Sequence, residues 1–288
     1  MIERVQRVDA IAAWREARRE AGERVALVPT MGALHAGHLS LIDVARGVAD
    51  RVVVSVFVNP TQFGPDEDFD TYPRDLAGDA TLAGDRAADA LFAPGADDMY
   101  PEEQTIWVEP GPLAERLCGL SRPGHFRGVL TVVAKLFSMI RPEAAVFGRK
   151  DFQQSVLIRR MNAQLGLGVE ITTGPTVRES DGLALSSRNA YLSPDEREAA
   201  RSLSAALRET RAVFGSGERD PVALEETARD VLEGAGARVE YVSVVEPEGL
   251  ERPPRAAPHH VTALAARIGT TRLIDNETLG EPSPLDAS

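Results

Sequence analysis

Four short apolar runs, Val25 to Val28, Val52 to Val58, Ala90 to Phe92 and Ala144 to Phe147, punctuate the first half of the chain. None alternates with polar residues, so each calls for cover on both faces. Segments with helical spacing stand between them, near 38–49, 75–88 and 128–140. Another precedes them over 9–21, where Ile11, Trp14 and Ala17 share one side. Strands alternating with helices predict a parallel sheet wrapped by crossover connections. Residues 1–176 are therefore expected to form a doubly wound α/β domain.

The pattern changes after Asn189. Ser193-Pro-Asp-Glu196 is a capping box with proline at the first helical position, and it opens a helix expected to run to about Phe214. Gly215-Ser-Gly217 separates it from a second helix beginning at Asp220-Pro221. Strand-like stretches follow at Val239–Val245, His260–Ala266 and Thr271–Ile274, divided by loops rich in proline and glycine. Residues 177–288 thus read as a smaller α+β domain, with a tail expected to be disordered from about 278.

Several function classes are excluded early. No apolar run approaches the roughly 20 residues that span a bilayer, and the N-terminus lacks the apolar core of an export signal. A cytoplasmic protein with no membrane partner is expected. The formal charge of −12 opposes a nucleic-acid surface, although a local site for a small anion remains open. Cys118 is the only cysteine, so neither an internal disulfide nor a sulfur-rich metal site can form. Arginine outnumbers lysine 30 to 2, a bias that codon usage explains. The two lysines kept against it, Lys135 and Lys150, suggest places where a compact ammonium is required.

The stretch Pro29-Thr-Met-Gly-Ala-Leu-His-Ala-Gly-His-Leu-Ser40 joins an apolar run to a helix and holds two of the five histidines. A helix N-terminus exposes unpaired N–H groups and partial positive charge, which suits an anion. Gly32 and Gly37 let a phosphate approach the main chain, and His35 and His38 add donors for charge building on phosphoryl oxygens. The competing readings are a metal pair or two capping histidines. The other histidines, His125, His259 and His260, lack metal spacing.

Phe57-Val-Asn-Pro-Thr-Gln-Phe63 ends the second strand, where open α/β sheets bind ligands; Gln62 offers a neutral donor and acceptor, Phe63 an apolar wall. An ordinary Asn-Pro turn is the alternative. Phe147-Gly-Arg-Lys-Asp-Phe-Gln-Gln154 again joins strand to helix, with Lys150 suited to a triphosphate, Asp151 as helix cap, and Gln153 or Gln154 facing the ligand. Arg178–Asn189, with its Asp-Gly turn and Ser-Ser-Arg cluster, reads as a mobile loop closing over phosphates, or as a flexible linker. Ser121–Arg127 reads as a solvated surface loop. Lys135 either reaches a cleft or snorkels out of an apolar helix. No nucleophile elbow or Walker loop occurs, so direct transfer between bound substrates is expected.

Together the segments Pro29–His38, Phe57–Phe63, Arg122–Val129, Phe147–Gln154 and Arg178–Asn189, with Thr270–Asn276 near the C-terminus, resemble the pantothenate synthetase family in order and spacing. The His-x-Gly-His corner alone is shared with nucleotidyltransferases and class I aminoacyl-tRNA synthetases; the combination is specific. The resemblance implies a Rossmann-like N-terminal domain, a C-terminal lid, a homodimer and magnesium. It also implies condensation of (R)-pantoate with β-alanine through pantoyl adenylate, with ATP split to AMP and pyrophosphate.

Carried onto this chain, the family's ATP contacts fall on Met31, Gly32, Ala33, Leu34, His35, Ala36, Gly37 and His38. They continue on Gly148, Arg149, Lys150 and Asp151, and on Val177, Leu185, Ser186, Ser187 and Arg188. Pantoate falls to Gln62 and Gln154, with Pro29, Met31 and Phe63 as apolar contacts. His38 takes the proton-donor place. His35 and Lys150 would stabilise the transition state and the leaving pyrophosphate, with Ser186, Ser187 and Arg188 completing the catalytic set. Leu185 replaces a usual methionine, a volume-conserving change. Magnesium falls to Asp79, in an acidic cluster thinned by Gly78. A nucleotidyltransferase acting on a phosphorylated acceptor is the main rival, and such an acceptor asks for a more basic pocket than Gln62 and Gln154 provide. A catalytically dead nucleotide-binding protein is a third reading, which the intact His35, His38 and Lys150 set opposes.

Overall fold

A computed structural model describes residues 2–283 and Leu285. The chain forms two compact units. The first contains the chain up to Gly111, Arg122–Arg149 and Leu157–Pro175; the second contains Pro112–Ser121, Lys150–Val156 and the chain from Thr176 onward. Two short segments ahead of 176 thus belong with the second unit. Side chains tie them there: Gln153 accepts the Cys118 N–H at 2.9 Å and donates to the carbonyls of Leu113 and Arg116.

The first unit is built on a six-stranded sheet in the order β1-β4-β3-β2-β5-β6, parallel throughout. Its strands are β1 (Glu3–Val5), β2 (Val25–Thr30), β3 (Arg51–Val56), β4 (Ala90–Phe92), β5 (Ala144–Gly148) and β6 (Glu170–Gly174). The four apolar runs became the four inner strands, and Val25 through Val28 are fully buried, as cover on both faces requires. The edge strands β1 and β6 carry no such run. Glu3, Arg4, Glu170 and Thr173 are exposed on them, because an edge strand keeps polar residues that discourage further pairing. The expected helices appear as Val8–Glu20, Ala36–Arg46, Leu76–Asp85 and His125–Ile140. Because β2 lies between β3 and β5, connections leave its neighbourhood in opposite directions, and the carboxyl ends of β2 and β5 mark the switch point at which open α/β sheets bind ligands.

In the second unit the helices Pro194–Ala200, Ser202–Gly215 and Pro221–Gly234 accompany an antiparallel sheet of β7 (Arg238–Val245), β8 (Val261–Ile268) and β9 (Thr271–Thr278). Leu203, Leu207, Leu232 and Leu264 form its interior. The capping box at Ser193 and Glu196 is present, but the long helix it opens breaks at Arg201, whose N–H bonds Glu198 O three residues back. The segment after β9, expected to be disordered, instead packs: Leu279 is buried and donates its N–H to His260 O at 2.9 Å, and Leu285 is buried as well. Burying those leucines offsets the cost of ordering the chain. The last three residues and Pro284 lie outside the described set.

Candidate active site

β2 ends at Thr30, whose hydroxyl donates to Ser55 O at 2.7 Å and accepts the Gly32 N–H at 3.1 Å. The turn that follows is left-handed at two successive residues, Gly32 (φ 88°) and Ala33 (φ 50°). Glycine adopts that conformation freely; alanine does not, so the turn needs an external hold. Asp79, in the helix Leu76–Asp85, supplies it: Oδ2 accepts the Ala33 N–H at 3.1 Å and Oδ1 the Leu34 N–H at 2.7 Å. Asp79 is 2% exposed. Burial raises its carboxyl pKa, against the opposing pull of those two N–H groups.

His35 then caps the helix Ala36–Arg46. Its Nδ1 accepts the Gly37 N–H at 3.2 Å, while His38 Nδ1 accepts the His35 N–H at 3.3 Å, an imidazole version of the capping box. The rings stack with centroids 4.1 Å apart. With both Nδ1 atoms accepting from main chain, each neutral ring carries its proton on Nε2. The capping arrangement is thus present; it fixes the tautomer and makes each Nε2 a donor beside the helix N-terminus.

Gln62 closes a short 3₁₀ turn, Pro60–Gln62, after β3. Its Oε1 accepts from Asn59 Nδ2 at 3.1 Å, which fixes the amide orientation, and its Nε2 donates to Met31 Sδ at 3.0 Å. Asn59, 1% exposed, is held in turn by the Tyr100 hydroxyl (2.8 Å) and by Gly128 O (3.2 Å). Of the loop 121–127, read as solvated, the part from Arg122 onward does structural work in this unit. His125 Nδ1 donates to Gln62 O at 2.8 Å, and Arg122 donates to the same carbonyl and to both oxygens of Glu67. Phe63 meets Phe69 and Tyr72 edge-on. The Lys135 ammonium lies 4.9 Å from the Tyr100 ring centroid and 3.4 Å from Gln104 Oε1, and burial lowers its pKa.

The second unit carries the remaining candidates. Asn276 of β9 donates from Nδ2 to Lys150 O at 2.8 Å, so a C-terminal strand sets the main chain at this lysine. Gln153 is spent on the three main-chain groups named above, and Gln154 beside it is half-buried. Ser186 caps the 3₁₀ turn Ser187–Tyr191 by accepting the Arg188 N–H. The segment Arg178–Asn189, expected to be a mobile loop, is a tethered hairpin. Glu179 N–H bonds Leu183 O at 2.8 Å, Arg178 pairs with buried Asp275 and Glu277 of β9, and Asn189 bonds Glu179 and Ala184 O. Asn59, Tyr100, Gly128 and Asn276 were not singled out in the sequence, since each acts through another residue. Asn59, Gly128 and Asn276 do lie inside the motifs themselves.

The donor set for magnesium is poor. Among the described residues no three His, Cys, Asp or Glu side chains converge as ligands, and Asp79 has both oxygens turned to the main chain in a space closed to water.

A family model described as pantoate-beta-alanine ligase matches residues 3–278. The chain belongs to that family. It is a ligase, and its reaction is the family's, the joining of pantoate to β-alanine. The pantothenate synthetase of Geotalea uraniireducens is 54% identical over 91% of this chain and 94% of its own. That of Geobacter sulfurreducens is 53% identical over 95% and 96%. The crystal structure of the Thermus thermophilus enzyme superposes with a TM-score of 0.91 at 44% identity, covering 96% of this chain and 99% of that one. A pantoate-beta-alanine ligase from Francisella tularensis, complexed with beta-gamma ATP and beta-alanine, gives 0.84 at 34% identity, covering 98% and 99%.

Proposed function

We propose that the ligation runs through pantoyl adenylate. A pantoate carboxylate oxygen bonds the α-phosphorus of ATP as the bond to pyrophosphate breaks. The amine of β-alanine then bonds the acyl carbon, the bond to AMP breaks, and the nitrogen gives up a proton. The first step brings anion to anion, so positioning and charge neutralisation must lower the barrier. The observation that carries this reading is the histidine cap, which aims Nε2–H donors of fixed tautomer beside the N–H groups of a helix start.

In this reading the residues that meet ATP are Met31 to His38, Gly148, Arg149, Lys150, Asp151, Val177 and Leu185 to Arg188. Gln62 presents its amide N–H to an acceptor oxygen of pantoate, because Asn59 occupies its oxygen. Phe63, Met31 and Pro29 cover the apolar side, and Gln154 supplies the second amide. His38 is the proton donor. Lys150 and Arg188 neutralise the leaving pyrophosphate, and His35 donates a hydrogen bond to it. Magnesium enters as the companion of the triphosphate and is given no protein ligand. We infer a cytoplasmic homodimer, as the family resemblance implies; no helix among the described residues is long and apolar enough to cross a membrane.

Exchange of labelled pyrophosphate into ATP that requires pantoate but not β-alanine is the expected result. Folded protein that shows no such exchange, yet forms pantothenate, would remove the adenylate from the scheme.

A further inference from the structure

The family resemblance places magnesium at Asp79, and the contacts of that carboxylate point elsewhere. We propose that Asp79 is a positioning residue: it clamps the left-handed turn before the histidine cap and thereby sets where His35 and His38 stand. The proposal rests on the site assignment above and deepens it.

Three observations carry it. First, both carboxylate oxygens are committed to consecutive main-chain N–H groups, Ala33 and Leu34, at 3.1 and 2.7 Å. Second, the residue is 2% exposed, and a methyl group built on Gly32 would meet Asp79 Oδ2 at 2.9 Å, so the turn lies directly on the carboxylate. Magnesium demands near-octahedral oxygen ligands and retains several waters, and no room for them exists there. Third, the clamped residues include Ala33 at φ 50°, a conformation that costs a non-glycine residue energy unless the surroundings impose it. Leu34 leads directly into His35, so any relaxation of the turn shifts the first helical turn and both imidazoles. A displacement of about 1 Å at such a site is enough to cost on the order of 10²-fold in rate.

The test uses Asp79→Asn and the unaltered protein. The substituted amide retains one acceptor oxygen and sets an N–H₂ against the other main-chain donor. In metal-free protein held in EDTA, amide hydrogen exchange over residues 31–39 should quicken at least tenfold in the variant while exchange in the helix Pro221–Gly234 stays unchanged. In turnover, kcat/KM for ATP should fall on the order of 10- to 10²-fold, with half-saturating magnesium within twofold of the unaltered enzyme. The proposal is overturned if exchange over 31–39 is unchanged. It is equally overturned if half-saturating magnesium rises tenfold and excess metal restores kcat, the signature of a lost ligand. Should the variant fail to fold, the unaltered protein decides by NMR without nucleotide. The Ala33 and Leu34 amide resonances should stay in place on magnesium addition, and movement of both with one binding curve would sink the idea. The exchange and NMR readings use no substrate, so they stand or fall separately from the ligase chemistry.

Discussion

The imidazoles at 35 and 38 each perform two tasks with one ring. Nδ1 satisfies a helix-start N–H that would otherwise be unpaired, and this commitment places the proton on Nε2. His38→Ala and Lys150→Ala should each lower kcat/KM on the order of 10²-fold, as expected for lost electrostatic stabilisation. His38→Ala should also cost about 1 kcal/mol of stability through the missing cap, read by urea unfolding. Wild-type turnover in both variants would defeat the site assignment. Lys135 gives a pH test. Its folded pKa lies below the ordinary value of 10.5 because burial disfavours the charge. The folded state therefore binds the proton less tightly than the unfolded chain. Stability should rise as pH climbs from the folded value toward 10.5, and Lys135→Met should flatten that rise in urea midpoints measured across the alkaline range. The sequence showed Lys135 to be unusual through the scarcity of lysine, yet its partner Tyr100 lies 35 positions away and no local pattern links the two.

Among the elements, the helix His125–Ile140 packs against the turn that carries Gln62, the residue proposed to hold pantoate. It approaches the turn Pro60–Gln62 so closely that a methyl on Gly128 would sit 2.2 Å from Thr61 O. Gly128→Ala must push the helix off the turn, at about 1–3 kcal/mol for an overpacked contact. Because Asn59 bridges Gly128 O and Gln62, the displacement should raise KM for pantoate more than KM for ATP. Equal changes in both constants would argue against this route. The motif spelled out Gln62; the helix that holds it was readable only as an apolar segment. Edge strands escaped for a related reason: β6 is Glu-Ile-Thr-Thr-Gly, polar enough to pass for a loop, and it becomes a strand because β5 offers an open edge.

At the level of the whole molecule, strand β9 organises the candidate residues of the second unit. Through Asn276 it sets the main chain at Lys150, and through Asp275 and Glu277 it anchors Arg178 and the hairpin that leads to Ser186 and Arg188. The side chains of Arg178, Asp275 and Glu277 are 5%, 1% and 9% exposed, so Arg178→Ala leaves two carboxylates buried and unpaired. A loss of about 3–5 kcal/mol is expected, measured by urea unfolding, together with faster amide exchange over 176–191. A loss within experimental error would mean the hairpin is held by its main-chain bonds alone. What the amino-acid order settled by itself were features written locally: inner strands as unbroken apolar runs, helices as periodic stripes and caps as short boxes. What only the tertiary structure decided were dependencies between distant positions, Asp79 on Ala33 and Leu34, Tyr100 on Asn59, Asn276 on Lys150. A carboxylate or amide is an ordinary polar residue until the fold removes water from around it, and it then must bond whatever N–H or carbonyl the fold has brought within reach.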